Sequence, residues 1–94
     1  MYLHLGQNVM VLNQSIMGIF DMDNTTSSHL TREYLNRAEK EGKVINVSED
    51  LPKSFVICND RTGTKIYLCQ LNSATLLKRF ENINNEISEI SMDK

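Results

Sequence analysis

The sequence predicts an α+β domain, and three observations predict it. Short apolar runs bounded by turn residues fill the first twenty positions, and more of them fill residues 55–71. Between and after these strand-like groups, two stretches change to helical spacing. The order is therefore strands, helix, strand hairpin, helix, which is α+β order and not a regular alternation of strand and helix. At 94 residues the chain makes one small domain. A domain of this size buries a modest share of its surface, so self-association would help it.

Taken in order, Tyr2 to Leu5 form a first strand that stops at the turn cluster Gly6-Gln7-Asn8. Val9 to Leu12 form a second, polar Asn13-Gln14-Ser15 interrupts, and Ile16 to Phe20 form a third, with Gly18 marking a bulge or a close backbone approach. Such continuous apolar runs suit strands covered on both faces, by this chain or by a neighbouring subunit. The polar segment Asp21 to Ser28 leads to an amphipathic helix on which Leu30, Tyr34 and Ala38, with Leu35 beside them, make the apolar stripe. Ser27 or Ser28 can cap its start, and Gly42 supplies the left-handed stop. Val44, Ile45 and Val47 form a short strand or extended link, and Pro52 marks a boundary. Phe55 to Cys58 and Lys65 to Leu71 form a hairpin around the loop Asn59 to Thr64. Asn72 or Ser73 caps a last helix, where Leu76, Phe80, Ile83, Ile87 and Ile90 follow spacings of 4, 3, 4 and 3. That stripe needs a covering surface, and Leu76, Phe80, Ile83 and Ile87 are the expected oligomer contacts.

Composition excludes several classes. Ten Lys+Arg against twelve Asp+Glu give a net charge of −2, which is no polycation. No run approaches a transmembrane helix, and the first residues lack a signal peptide's basic start and long apolar core, so a cytoplasmic location is expected, without membrane. Cys58 and Cys69 cannot build a disulfide framework, and without paired histidines they are no zinc site. They lie on the two hairpin strands, where they could approach each other. His4 on the first strand reads as an edge or half-buried side chain rather than a base. No cofactor, metal or small-molecule substrate is expected.

Charge is unevenly spread. Residues 1–52 sum to −3, residues 53–80 to +4 and residues 81–94 to −3. The hairpin and the start of the last helix thus form a basic block that suits phosphate contact repeated around an oligomer. Lysines protecting an edge strand give the same charges.

Ile19-Phe20-Asp21-Met22-Asp23-Asn24-Thr25 is similar to the first motif of haloacid dehalogenase-type phosphatases. That resemblance would make Asp21 a nucleophile and Asp23 a general acid/base beside Mg²⁺. The rest of the chain lacks the alternating strands and helices, the downstream lysine and the paired acids at a strand end. A strand closing in acidic turn residues is the expectation, and no catalytic residue is assigned.

A second resemblance covers nearly the whole chain. The opening Met1 to Gly6, the segment Ile16 to Asp21, Pro52-Lys53-Ser54 with its strand, and Ile66-Tyr67 leading to Ser73 to Arg79 resemble the RemA/RemB family. These are small extracellular matrix regulators of Gram-positive, spore-forming bacteria. The resemblance spans residues 1–80 and leaves 81–94 as an acidic C-terminal helix extension. It implies a non-enzymatic transcription regulator of extracellular matrix and biofilm genes, binding duplex DNA as a ring-like homo-oligomer. The sister branch carries arginines on the ring's outer surface. Here Gln14-Ser15 and Glu49-Asp50-Leu51-Pro52 occupy those places, and of that cluster only Lys53 is basic. The expected phosphate contacts are therefore Lys53, Arg61, Lys65 and Arg79. The other expectation is an oligomeric protein-interaction module that has lost DNA binding.

Overall fold

The computed structural model describes residues 1–22 and 29–92, with side chains as far as residue 83. Strands β1 (Tyr2–Gly6) and β2 (Val9–Leu12) form an antiparallel pair. A 3₁₀ turn (Asn13–Ser15) leads into β3 (Ile16–Asp21). Helix α1 (His29–Lys40) and strands β4 (Val44–Asn46), β5 (Ser54–Asp60) and β6 (Gly63–Cys69) follow, and α2 (Ser73–Met92) closes the chain. The second sheet has the order β3-β5-β6-β4, antiparallel except for the parallel β4–β6 pair. The architecture is α+β.

Alternation along the strands sorts the core into two parts. Val56 and Cys58 of β5 and Cys69 of β6 turn toward β1 and β2, where they meet Leu3, Leu5 and Val11. Phe55 and Ile66 turn the other way, onto Ala38 of α1, with Leu35, Val44, Ile57 and Leu68 around them. The molecule is therefore layered, with the β1–β2 pair and the start of α2 on one side of the central sheet and α1 on the other. β5 is covered on both faces, which its unbroken apolar run requires. The β1–β2 pair is not: Leu3, Leu5 and Val11 point inward, but Tyr2, Met10 and Leu12 stay exposed.

Local chemistry sets the element ends. Gly42 sits at φ +75°; its N–H donates to Glu39 O and that of Lys43 to Ala38 O, the paired closure of a left-handed helix stop. At the other helix Asn72, not Ser73, is the cap, since its Oδ1 accepts the Thr75 N–H at 2.8 Å. The Ser27 or Ser28 cap lies outside the described residues.

Several expectations change. The hairpin loop shrinks from six residues to the two-residue turn Arg61-Thr62, because β5 and β6 stay paired out to Asp60 and Gly63. On α1 only Leu35 and Ala38 reach the core; Leu30 is 75 % exposed and Tyr34 44 %. Cys58 pairs with Lys65 and Cys69 with Ser54, so the two thiols are four ladder positions apart and unbonded. Their separation is roughly 13 Å along the strands. Leu76 is fully buried among this chain's own β-strand residues and has no surface to offer a second copy. Phe80 and Ile83 are half-buried against the same core, and the side chain of Ile87 lies outside the described residues.

Candidate nucleic-acid interface

Of the four expected phosphate contacts, Lys53 has its backbone held on both sides. Pro52 holds the chain extended before it. The Lys53 N–H donates to Cys69 O at 2.8 Å, and its carbonyl accepts the Met22 N–H at 2.9 Å. Its backbone is thus clamped between the ends of β3 and β6. Ser54, fully buried, adds a second tie by donating its hydroxyl to Leu71 O at 2.7 Å. From this fixed base the exposed lysine borders a hollow of about 380 Å³ shared with Gln7, Ser48 and Gln70.

Next to it lies a wider, open hollow of about 920 Å³, lined by Gln7, Asn46, Ser48, Glu49 and Asp50 among others. The Asp50 N–H donates to Ser48 Oγ, and the Ser48 hydroxyl donates to Gln70 Oε1, both at 3.2 Å. These contacts shape the acidic loop beside the lysine.

Arg61 and Lys65 belong to the opposite end of the hairpin. Arg61 stands exposed in the turn, and Lys65 is half-buried on β6 across from Cys58. The intervening strand separates Lys53 from Arg61 by roughly 26 Å of backbone. Asp60 supports the turn by accepting the Thr62 amide at 2.8 Å and the Thr62 hydroxyl at 2.6 Å. Those bonds, hydroxyl first, hold its carboxyl below the usual range. Arg79 lies on α2 and donates from Nη1 to His4 O at 3.2 Å, tying that helix to β1. The four cations therefore mark three places, not one patch.

Among the described residues none of the four has an ion-pair partner, whereas exposed Lys43 is held by Glu41 at 2.8 Å. His4 is exposed and donates Nε2–H to Gln7 O at 2.8 Å, a turn contact. Burial pushes both thiols up, Cys69 to about 11, so neither is a poised nucleophile. Asp21 ends an edge strand of a mixed sheet, unlike the parallel sheet a phosphatase motif requires; Asp23, Asn24 and Thr25 lie outside the described residues. Among the described residues no group of His, Cys, Asp or Glu is placed to hold a metal ion. No described helix is long and apolar enough to cross a membrane.

The model of the RemA-like family, described as extracellular matrix regulatory protein A-like, matches residues 2–80. The chain belongs to the RemA-like family. It is also 37 % identical over 79 residues to Extracellular matrix regulatory protein B of Bacillus subtilis (strain 168), covering 84 % of this chain and 89 % of that protein. The RemA-like match takes in all four candidate cations and the acidic loop at residues 49–50, and it stops inside α2, which runs without a break from Ser73 to Met92.

Proposed function

We propose that this RemA-like protein is a non-enzymatic regulator of extracellular matrix genes, acting in the cytoplasm as a ring-like homo-oligomer that binds duplex DNA. The observation that supports the proposal is a set of cations with no ion-pair partner among the described residues. Among the described residues Lys53, Arg61, Lys65 and Arg79 make no ion pair, and Lys53 is clamped by backbone hydrogen bonds on both sides. A cation rooted in a fixed backbone and outside any described ion pair is suited to an external phosphate. Three separate points of contact on one copy are too few for firm binding, so repetition around an oligomer supplies the rest.

The test is titration of the full chain against duplex DNA from low to physiological salt. Retardation that weakens steeply with salt, and weakens further in Lys53→Ala, supports the proposal. Absence of binding at the lowest salt overturns it.

A second reading has its own observation: Glu49 and Asp50 are exposed beside Lys53 and repel phosphate. On that reading the protein is an oligomeric interaction module that has lost DNA binding. The parent then fails to retard DNA while a Glu49→Arg/Asp50→Arg variant gains binding. A double variant as inert as its parent counts against this reading.

A further inference from the structure

Four separated parts of the chain meet around Lys53. They are the end of β1 with its turn, the residues after β4, the lysine itself ahead of β5, and the residues after β6. Together they border the hollow of about 380 Å³, which lies within the roughly 300–1,000 Å³ typical of small-ligand sites. Its floor is apolar, with Leu5 fully buried and Val47 nearly so. Its polar lining is Gln7, Ser48, Lys53 and Gln70, which is one cation and, among the described residues, no carboxylate. Glu49 and Asp50 line the adjoining hollow instead.

The lining is held in place by the fold. The Val47 N–H donates to Leu68 O at 3.0 Å and the Lys53 N–H to Cys69 O at 2.8 Å, which ties two of the four parts to β6. His4 Nε2–H donates to Gln7 O at 2.8 Å and fixes the turn, where Gln7 takes a φ of +50°. The Ser48 hydroxyl accepts the Asp50 N–H and donates to Gln70 Oε1, both at 3.2 Å. The bond to Gln70 commits its oxygen as an acceptor and leaves the amide nitrogen to donate. A lysine and a preset amide donor above an apolar floor suit an anion that carries an organic group. Groups already in place lose little freedom on binding, so few contacts suffice.

We propose that this hollow is a phosphate-ester site. Lys53 neutralises the phosphate, Gln70 and Gln7 donate amide hydrogens to its oxygens, and the organic group lies over Leu5 and Val47. Ser48 acts through Gln70 and is a positioning residue. The ester is either a free small molecule or a unit of a nucleic-acid backbone, which offer the same chemistry. The site shares Lys53 with the proposed function but does not need duplex binding.

Broadening of the phosphorus NMR signal tests it, with the full chain titrated separately against inorganic phosphate and adenosine monophosphate. Saturable broadening is expected with both, the monophosphate saturating at lower concentration. Gln70→Glu keeps an acceptor for the Ser48 hydroxyl but puts a negative oxygen where the donor was. It should weaken binding by at least about tenfold, the weight of a hydrogen bond to a charged group. Lys53→Met, which keeps the side-chain stem, should abolish the broadening. Asn36→Asp adds the same charge at an exposed position on α1 and should bind like the parent. Circular dichroism checks each fold, and Gln70→Leu replaces a misfolded Gln70→Glu. Absence of broadening in the parent overturns the site, whatever the duplex titration shows. Broadening that survives both hollow variants, or falls equally in Asn36→Asp, overturns it as well. Competition then separates the two sources. If phosphate releases bound duplex more than chloride does at equal ionic strength, the hollow seats a backbone phosphate. If phosphate binds through Lys53 and Gln70 while duplex stays bound or never binds, the ligand is a free ester.

Discussion

Gly18 shows how much one residue can fix. It sits at the register shift between β3 and β5, and a Cβ there would lie 2.6 Å from ring atoms of Phe20. That ring is also stacked on Phe55 at 5.0 Å, so it cannot move aside without loosening the core under α1. Gly18→Ala is expected to cost about 1–3 kcal/mol in urea unfolding, as overpacking does; an unchanged midpoint would show that the ring yields freely. Asp60 is the other residue with a distinct signature. Its carboxyl is depressed by the two Thr62 bonds below the ordinary value of 3.8. A depressed folded-state pKa means the contribution is present in full above the unfolded value and is lost as pH falls through the folded one. The stability of the parent should therefore drop more steeply below about pH 4 than that of Asp60→Asn, which keeps an acceptor oxygen but does not titrate. Parallel acid limbs in the two urea-midpoint profiles would contradict this.

At the scale of elements, local signals were legible and tertiary placement was not. Turn residues located the β1–β2 turn, Gly42 the end of α1, and Asn72 was one of two named caps for α2. The stripe beginning at Leu76 showed that α2 must be covered, but periodicity reports that a face is apolar, not which molecule covers it. The answer for Leu76 is the chain itself, since α2 packs on β1 and β3 and Leu76 joins the core they share with β5 and β6. The stripe on α1 failed in the opposite way: Leu30 and Tyr34 share its spacing with Ala38 and remain exposed, because the helix contacts the sheet through Leu35 and Ala38. Hairpin length was missed because Asn59, Asp60 and Gly63, all turn-forming types, were recruited into the ladder. Leu76→Ala should cost about 2–5 kcal/mol, the range for a buried leucine. Leu77→Ala, one position along and 41 % exposed, should cost well under about 1 kcal/mol. Equal losses in denaturant unfolding would mean that α2 is seated differently.

For the whole molecule, the excess of positive charge in residues 53–80 could be counted in the sequence, but its dispersal could not. β5 carries Lys53 and Arg61 to opposite ends, and α2 takes Arg79 to the side of β1. One copy lying on a duplex therefore reaches about one or two phosphates, giving a slope of log affinity against log salt near about −1 to −2. An assembly that brings Lys53 from several copies to one duplex adds roughly 0.9 per further phosphate neutralised. The parent slope should then be steeper than about −3. Lys53→Ala in the assembled protein should keep the mass and lower the slope by about one for each copy in contact. A parent slope no steeper than about −2 would mean that repetition contributes nothing and the cations of one copy suffice.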